Sequence, residues 1–186
     1  CLHDYQLQSK DMKNLERADV FVINGAGMES FLEKVTDQLP ELTVVNAGEG
    51  VPILEEGGEE NSHLWVSITN CIQQVKNISE GLAEADEQNA ERYLENAQEY
   101  MAKLTLLRAK MHEELDDLPN RDIITFHEAF PYFAEEFGLN IVRVVNREPD
   151  SQPRANGHPN RLPVFIPASV RRPINGSKWR IRQAAA

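Results

Sequence analysis

Cysteine is scarce in this sequence, which has only Cys1 and Cys71 among its 186 residues. The two define no disulfide framework, and without a Cys-x-x-Cys motif a metal site built from thiolates is not expected. Long apolar runs are also missing: no stretch of about 18 apolar residues occurs, so we expect no membrane-spanning helix. The sequence has no initiator Met and no signal-peptide pattern, which favours a mature form or a fragment of a longer chain.

Motifs of the common catalytic classes are absent as well. There is no G-x-S-x-G elbow, no Walker loop and no H-E-x-x-H pair. The stretch INGAGMES places Gly25 and Gly27 between a predicted strand and a predicted helix, but Ser30 stands where a dinucleotide fingerprint has its third glycine. The two glycines are therefore more typical of a tight turn than of a cofactor site.

The net charge of the chain is −11. This argues against nucleic acid as a partner, because its phosphates would be repelled. The distribution is uneven. Residues 150–186 carry a net charge of +6 and five of the ten prolines, which leaves −17 on residues 1–149. A segment with so little periodicity is poorly suited to a core, so we predict a foreign or disordered tail, with a basic arm for an acidic partner as the alternative.

Two short apolar segments, residues 19–25 and 42–48, predict β-strands on either side of a helix over residues 26–39. Another short helix is predicted over residues 9–17, with Ser9 as its N-cap. Strand, helix and strand joined by short turns favour a parallel α/β layer. The stretch VPILEEGGEENSHLWVS that follows is predicted to be a solvated loop, whose glutamates could raise the local cation concentration without being ligands.

Helical periodicity is strongest in the middle of the sequence. A first stripe covers residues 68–82, and a helix of about 30 residues, roughly 45 Å long, is predicted from near Asp86. Such a helix suits a rigid strut between two lobes; strands predicted at residues 123–126 and 141–145 would then belong to the second lobe. A module that binds a partner through the helix seam is the alternative. The apolar positions of this seam are Ala90, Tyr93, Ala97, Tyr100, Leu104, Leu107 and Met111.

Five histidines occur, and three of them share a setting. His3, His63 and His127 each lie in a predicted loop or strand end beside an aromatic or apolar residue, whereas His112 is followed by glutamates on the long helix and His158 lies in the tail. Imidazole is the commonest protein ligand for zinc, and three imidazoles plus a fourth group complete a tetrahedron. Separations of 60 and 64 residues carry no motif information, so the residues alone leave a shared metal site and three structural histidines both open.

Three segments together resemble a known family. HDYQLQSKDMKNLERADVFVINGAGMESFLEK is similar to the first histidine segment of the zinc and manganese solute-binding proteins of ABC transporters, the metal-binding lipoprotein and adhesin type. NSHLWVSITN is similar to the second segment, D-P-H-x-W, and ITFHEAFPYFAEEFGL to the third, where zinc members have histidine and many manganese members have glutamate. The resemblance runs from about residue 1 to residue 153. The positions that match the first segment are His3, Tyr5, Asp11, Ala18, Asp19, Asn24, Gly25 and Glu29.

The resemblance implies an α/β fold of two lobes joined by one long helix. Residues 1–85 would form the first lobe without its opening strands, and residues 86–118 the linking helix. Residues 119–149 would start the second lobe, and residues 150–186 would be the atypical basic tail. Because the likeness stops near residue 153, we expect a frame shift or a mis-joined end there.

The resemblance also implies a function, which is metal capture outside the cytoplasm for a membrane permease of an ABC importer. His3, His63 and His127 would be the metal ligands. Zn²⁺ is favoured over Mn²⁺ because borderline Zn²⁺ accepts imidazole while harder Mn²⁺ prefers carboxylate. The chain would be a monomer and not an enzyme. The family's fourth ligand, a late Asp or Glu, has no counterpart here, so weakened binding and marginal stability are expected.

Two other functions stay open at this point. A metal-dependent hydrolase could use His127 and Glu128 around a metal-bound water, if one coordination position were open. The sequence offers no nucleophile motif in support of it. The helical interaction module would need the long helix and no metal.

Overall fold

The computed structural model describes residues 5–56 and 59–145, and the sequence-based predictions for His3 and for residues 150–186 lie outside this part of the chain.

The first two strands form a parallel pair. Strand β1 (Val20–Ile23) pairs in parallel with β2 (Thr43–Asn46), with Val20 opposite Thr43. Helix α2 (Leu32–Gln38) connects the two strands, as the strand, helix and strand pattern predicts.

Helix α2 begins six residues later than the sequence indicates. Gly25, Ala26 and Gly27 all have positive φ values, of 81°, 49° and 68°, so three consecutive residues adopt the left-handed conformation. This conformation cannot open a right-handed helix. The glycines therefore serve a tight turn, as expected. Helix α1 (Ser9–Leu15) is capped by Gln8, so the prediction that Ser9 is its N-cap is wrong by one residue.

The acidic segment predicted to be a loop contains a minimal hairpin. Strand β3 (Glu55–Glu56) pairs antiparallel with β4 (Glu59–Glu60). A 3-10 turn (Leu64–Val66) then leads into helix α3 (Ile68–Ala85).

Helix α3 packs along the long helix α4 (Ala90–Leu115). Helix α4 has 26 residues, fewer than predicted, because Glu87–Asn89 forms a separate 3-10 turn. Of the predicted seam, Ala97 and Leu104 are buried, whereas Tyr100 and Leu107 are about half exposed.

The last elements repeat the parallel pattern of the first. Strand β5 (Asp122–Thr125) pairs in parallel with β6 (Asn140–Val144), and helix α5 (Pro131–Glu136) connects them. Pro131 opens α5, where a missing backbone N–H costs nothing.

The buried core joins helix α5 to the earlier parts of the chain. Tyr132 packs with Val51 and Leu64, and Phe137, just after α5, packs with Ile68 and Leu104. All described residues belong to one compact unit. No helix in residues 5–56 and 59–145 is long and apolar enough to cross a membrane. The α/β class and the long helix are confirmed, while boundaries at residues 85 and 118 stay predictions.

Candidate metal site

His63 and His127 meet although 64 residues separate them in the sequence. Their Nε2 atoms lie 3.1 Å apart. The two rings are nearly perpendicular, with an interplanar angle of 87° and centroids 4.8 Å apart. This arrangement points both ring nitrogens at one small region of space.

The distance between the two nitrogens suits a shared zinc ion. Zn–N bonds are about 2.0–2.1 Å long, so nitrogens 3.1 Å apart would subtend an N–Zn–N angle of about 98°. Ideal tetrahedral geometry has about 109°, which needs a separation of roughly 3.3 Å. An adjustment of about 0.2 Å in side-chain position would bring the pair to that value.

The backbone that carries His63 is fixed by Asn24, at the end of strand β1. The Asn24 side chain donates to the carbonyl oxygen of Ser62 at 2.9 Å and accepts from Gln74 Nε2 at 2.9 Å. The backbone N–H of Asn24 donates to the Glu29 carboxylate at 2.8 Å. His63 itself is only 9% exposed. The asparagine and glutamate of the first segment therefore support a histidine nearly forty residues further on.

Asn61 contacts both histidine-bearing segments. Its Oδ1 accepts from the backbone N–H of His63 at 3.0 Å and lies 2.9 Å from His63 Nδ1. Its Nδ2 donates to the carbonyl oxygen of Glu128 at 2.9 Å. Asn61 thus links Glu128, the residue after His127, to the ring of His63.

Tyr132 braces the same region from helix α5. Its hydroxyl donates to the Asn61 carbonyl oxygen at 2.7 Å and accepts from the Leu54 N–H at 2.9 Å. Burial raises the pKa of the Tyr132 hydroxyl, so it stays a neutral donor. Sequence reasoning did not find Asn61 or Tyr132, because the contacts of Asn61 with Glu128 and of Tyr132 with Asn61 span 67 and 71 residues and follow no local pattern.

Glu136 joins the end of helix α5 to the start of helix α3. Its carboxylate accepts from the backbone N–H of Ile68 at 2.7 Å, from that of Thr69 at 3.0 Å and from the Thr69 hydroxyl at 2.6 Å. A carboxylate at a helix N-terminus satisfies free N–H groups and complements the helix dipole. Helix α3 follows His63 closely and α5 follows His127, so this contact also sets the spacing of the two histidines.

Replacement of Glu136 by alanine is expected to lower the free energy of unfolding by about 1–2 kcal/mol, the usual effect of losing a helix cap. Urea denaturation would measure it. Glu135→Ala is the matched control, because Glu135 is exposed and adjacent. Equal midpoints for the two variants would contradict the capping role.

The segment that leads to His3 is anchored at Tyr5. The Tyr5 hydroxyl donates to Asp11 Oδ2 at 2.7 Å, and the Gln8 N–H donates to the same atom at 2.9 Å. The first of these bonds and then the second hold the pKa of Asp11 below its ordinary value of 3.8. His3 itself lies outside the described residues. Within residues 5–56 and 59–145, no three His, Cys, Asp or Glu side chains gather closely enough to hold an ion, so this part of the chain supplies the histidine pair.

The other described histidine lies elsewhere. His112, on helix α4, has its Nδ1 3.2 Å from Asp116 Oδ1 one turn later and is about 40% exposed. The solvated role expected for it holds only in part, because its ring also packs against that of Phe137 at a centroid distance of 4.9 Å. A cavity of about 340 Å³ adjoins the site, and its lining includes Asn61, His127 and Glu128.

The chain has the features of a metal-binding α/β protein. Its parallel strands pack with helices, and the ring nitrogens of two histidines lie next to each other. The sequence of the chain matches the family described as zinc-uptake complex component A, periplasmic (ZnuA), over residues 1–158. The chain belongs to this family, and the resemblance found in its three histidine segments is confirmed. The family consists of binding proteins and not of enzymes, so the hydrolase alternative is not supported.

The relatives of the chain are named after different metals. It is 31% identical over 170 residues to the high-affinity zinc uptake system protein ZnuA of Bacillus subtilis (strain 168), covering 82% of this chain and 53% of that protein. It is 32% identical over 184 residues to the iron-binding protein YfeA of Yersinia pestis, covering 91% and 59%. The chain therefore spans between half and three fifths of the length of these relatives.

A solved structure shows the same fold. The solute-binding protein FpvC of Pseudomonas aeruginosa in complex with Mn²⁺ aligns with a TM-score of 0.71 and 32% identity, covering 83% of this chain and 59% of that one. Zinc, iron and manganese thus all occur among relatives at similar identity, so family membership does not select the ion. None of these descriptions names an adhesin, and adhesion stays a sequence-based expectation.

Proposed function

We propose that this chain captures Zn²⁺ outside the cytoplasm as the solute-binding component of an ABC importer and passes the ion to a membrane permease. His3, His63 and His127 are its metal ligands. The observation that carries the proposal is the 3.1 Å separation of the Nε2 atoms of His63 and His127. In the metal-free chain the two nitrogens are close enough to share one hydrogen, and an ion that replaces this hydrogen would be bound by both nitrogens at once.

The donor atoms favour zinc over manganese. Two imidazole nitrogens already face the site, and a third would come from His3. Imidazole suits borderline Zn²⁺, while carboxylate, carbonyl and water suit Mn²⁺. Mn²⁺ is the second candidate, because a relative of the same fold binds it. The chain acts as a monomer, and a fourth ligand is not assigned.

Titration of the purified chain with Zn²⁺ and with Mn²⁺, each in competition with a chromophoric chelator, tests the proposal. We expect one Zn²⁺ per chain, confirmed by elemental analysis after dialysis, and tighter binding of Zn²⁺ than of Mn²⁺. Stoichiometric binding of neither metal would overturn the proposal. Tighter binding of Mn²⁺ would retain the site and overturn the choice of metal.

The affinity for Zn²⁺ is expected to fall as the pH is lowered. Free imidazole takes up a proton near pH 6.5, and only the neutral ring binds a metal. Binding is therefore strongest above this range and is lost as the pH falls through it. Because each of the three proposed imidazole ligands must lose a proton, we expect a slope that approaches three decades in affinity per pH unit below about pH 6. Chelator competition between about pH 5 and 7.5 would measure it, and a slope of one or less would contradict shared ligation.

A further inference from the structure

Besides the bond from its backbone N–H to the Leu54 carbonyl oxygen, Asn61 makes four hydrogen bonds at the junction of the two histidine segments. Its side-chain oxygen accepts from the backbone N–H of His63 and lies against the ring Nδ1 of the same residue. Its side-chain nitrogen donates to the Glu128 carbonyl oxygen, and its own carbonyl oxygen accepts from the Tyr132 hydroxyl. All four distances lie between 2.7 and 3.0 Å.

The orientation of the Asn61 amide is determined by its partners. A backbone N–H can only donate, so the atom that faces the His63 N–H must be the amide oxygen. A carbonyl oxygen can only accept, so the atom that faces Glu128 must be the amide nitrogen. Both ends of the amide agree, and the flipped amide would place like groups against each other at each end.

This orientation fixes the tautomer of His63. The Asn61 oxygen has no hydrogen to give, so the hydrogen in its 2.9 Å contact with the ring is carried by His63 Nδ1. In the neutral ring the other nitrogen, Nε2, then carries the lone pair. That is the atom 3.1 Å from His127 Nε2, and the one that a metal would bind.

We infer that Asn61 is the positioning residue of the metal site. It sets the Nε2 lone pair of His63 toward the ion before the ion arrives, and it holds the His127 segment at the matching distance through Glu128. The role of Asn61 in zinc binding rests on the proposed function, but the tautomer of His63 and the link to Glu128 are properties of the metal-free chain. An aspartate at this position could still accept from His63, yet it could not donate to the Glu128 carbonyl, so the two roles of the amide can be separated.

The experiment combines nitrogen NMR of the metal-free full chain with zinc titration. Long-range correlation from ring carbon-bound hydrogens to the two ring nitrogens identifies the tautomer of each histidine. In the unaltered chain we expect His63 with its hydrogen on Nδ1. Asn61→Asp should keep this tautomer, and Asn61→Ala should shift it toward Nε2–H. Zinc affinity should fall about 10- to 100-fold in Asn61→Ala and by less in Asn61→Asp, as second-shell losses do.

Asn77→Asp is the matched control, since the Asn77 amide also donates to backbone carbonyls, those of Ala47 and Glu49, but contacts neither histidine. It should leave the tautomer and the zinc affinity unchanged. Nε2–H on His63 in the unaltered chain would overturn the inference, as would an unchanged tautomer and affinity in Asn61→Ala. If Asn61→Ala does not fold, the unaltered chain and Asn61→Asp still decide it. If the unaltered chain binds no zinc, the proposed function fails while the tautomer still decides the role of Asn61.

Discussion

Alanine at His63 or at His127 is expected to weaken Zn²⁺ binding by about 100- to 1,000-fold. Zinc held by four protein ligands contributes about 10–16 kcal/mol of apparent binding free energy, so one ligand accounts for roughly 2.5–4 kcal/mol. Each 1.4 kcal/mol is about a tenfold change in the dissociation constant. Competition with a chelator of known affinity would measure the loss. The double variant should lose less than the product of the two single effects, because one missing nitrogen already leaves the ion poorly held.

His112→Ala provides the control for these variants. His112 lies on helix α4 beside Asp116, with one face of its ring on Phe137, and is not a proposed ligand, so its loss should leave the zinc affinity of the folded chain within about twofold. His3→Ala tests the ligand that lies outside the described residues, and a loss as large as that of His63→Ala would support three-histidine ligation. Losses in zinc affinity below about threefold for both His63→Ala and His127→Ala would overturn the metal site, because removal of a true ligand lowers the affinity by more than that.

The parallel strand pairs could be predicted because their signals are local. Four apolar residues followed by a glycine turn define strand β1, and the same density of β-branched residues defines β2. The start of helix α2 could not be predicted in the same way. Phe31 and Leu32 fit the helical period, but the turn formed by residues 25–27 uses positive φ values, which delay the helix. Periodicity reports which face a residue prefers and not where the backbone first becomes helical.

The long helix shows a related limit. The seam predicts one buried face, but burial depends on what packs against each residue. Ala97 and Leu104 are covered by helix α3 and by the core around Phe137, while Tyr100 lies where that cover is incomplete. The pattern alone does not reveal how far a neighbouring element extends.

The candidate site was only partly accessible from the sequence. His63 and His127 attract attention as histidines beside aromatic residues, and the resemblance to a family predicts that they meet. Their supports, Asn61 and Glu136, are an ordinary polar loop residue and an ordinary helix glutamate in the sequence. The partners through which they link the two segments, Glu128 and Thr69, lie 67 residues away, and contacts over such distances leave no periodic trace. Only the folded chain shows that these residues link the two histidine segments.

Alanine at Phe137 is expected to reduce the free energy of unfolding by about 3–5 kcal/mol, the usual range for a buried phenylalanine. Phe137 is 1% exposed and packs with Ile68 and Leu104, with the ring of Phe133 at a centroid distance of 4.9 Å. Removal of the ring would leave a cavity that these rigid neighbours cannot fill completely. Since small domains are commonly stable by about 5–15 kcal/mol, a large share of the stability would be lost. Urea denaturation followed by circular dichroism would measure it.

Phe126→Ala is the matched control, because Phe126 is 70% exposed and its truncation should change the unfolding free energy by about 0.5 kcal/mol or less. Equal losses in the two variants would contradict a core role for Phe137. The core variant should also bind zinc less tightly than the unaltered chain under conditions where both are folded. Phe137 is the residue next to Glu136, so a cavity there loosens the carboxylate that caps helix α3 and, through it, the distance between His63 and His127. A variant that loses stability but keeps full zinc affinity would contradict this link between the core and the histidine pair.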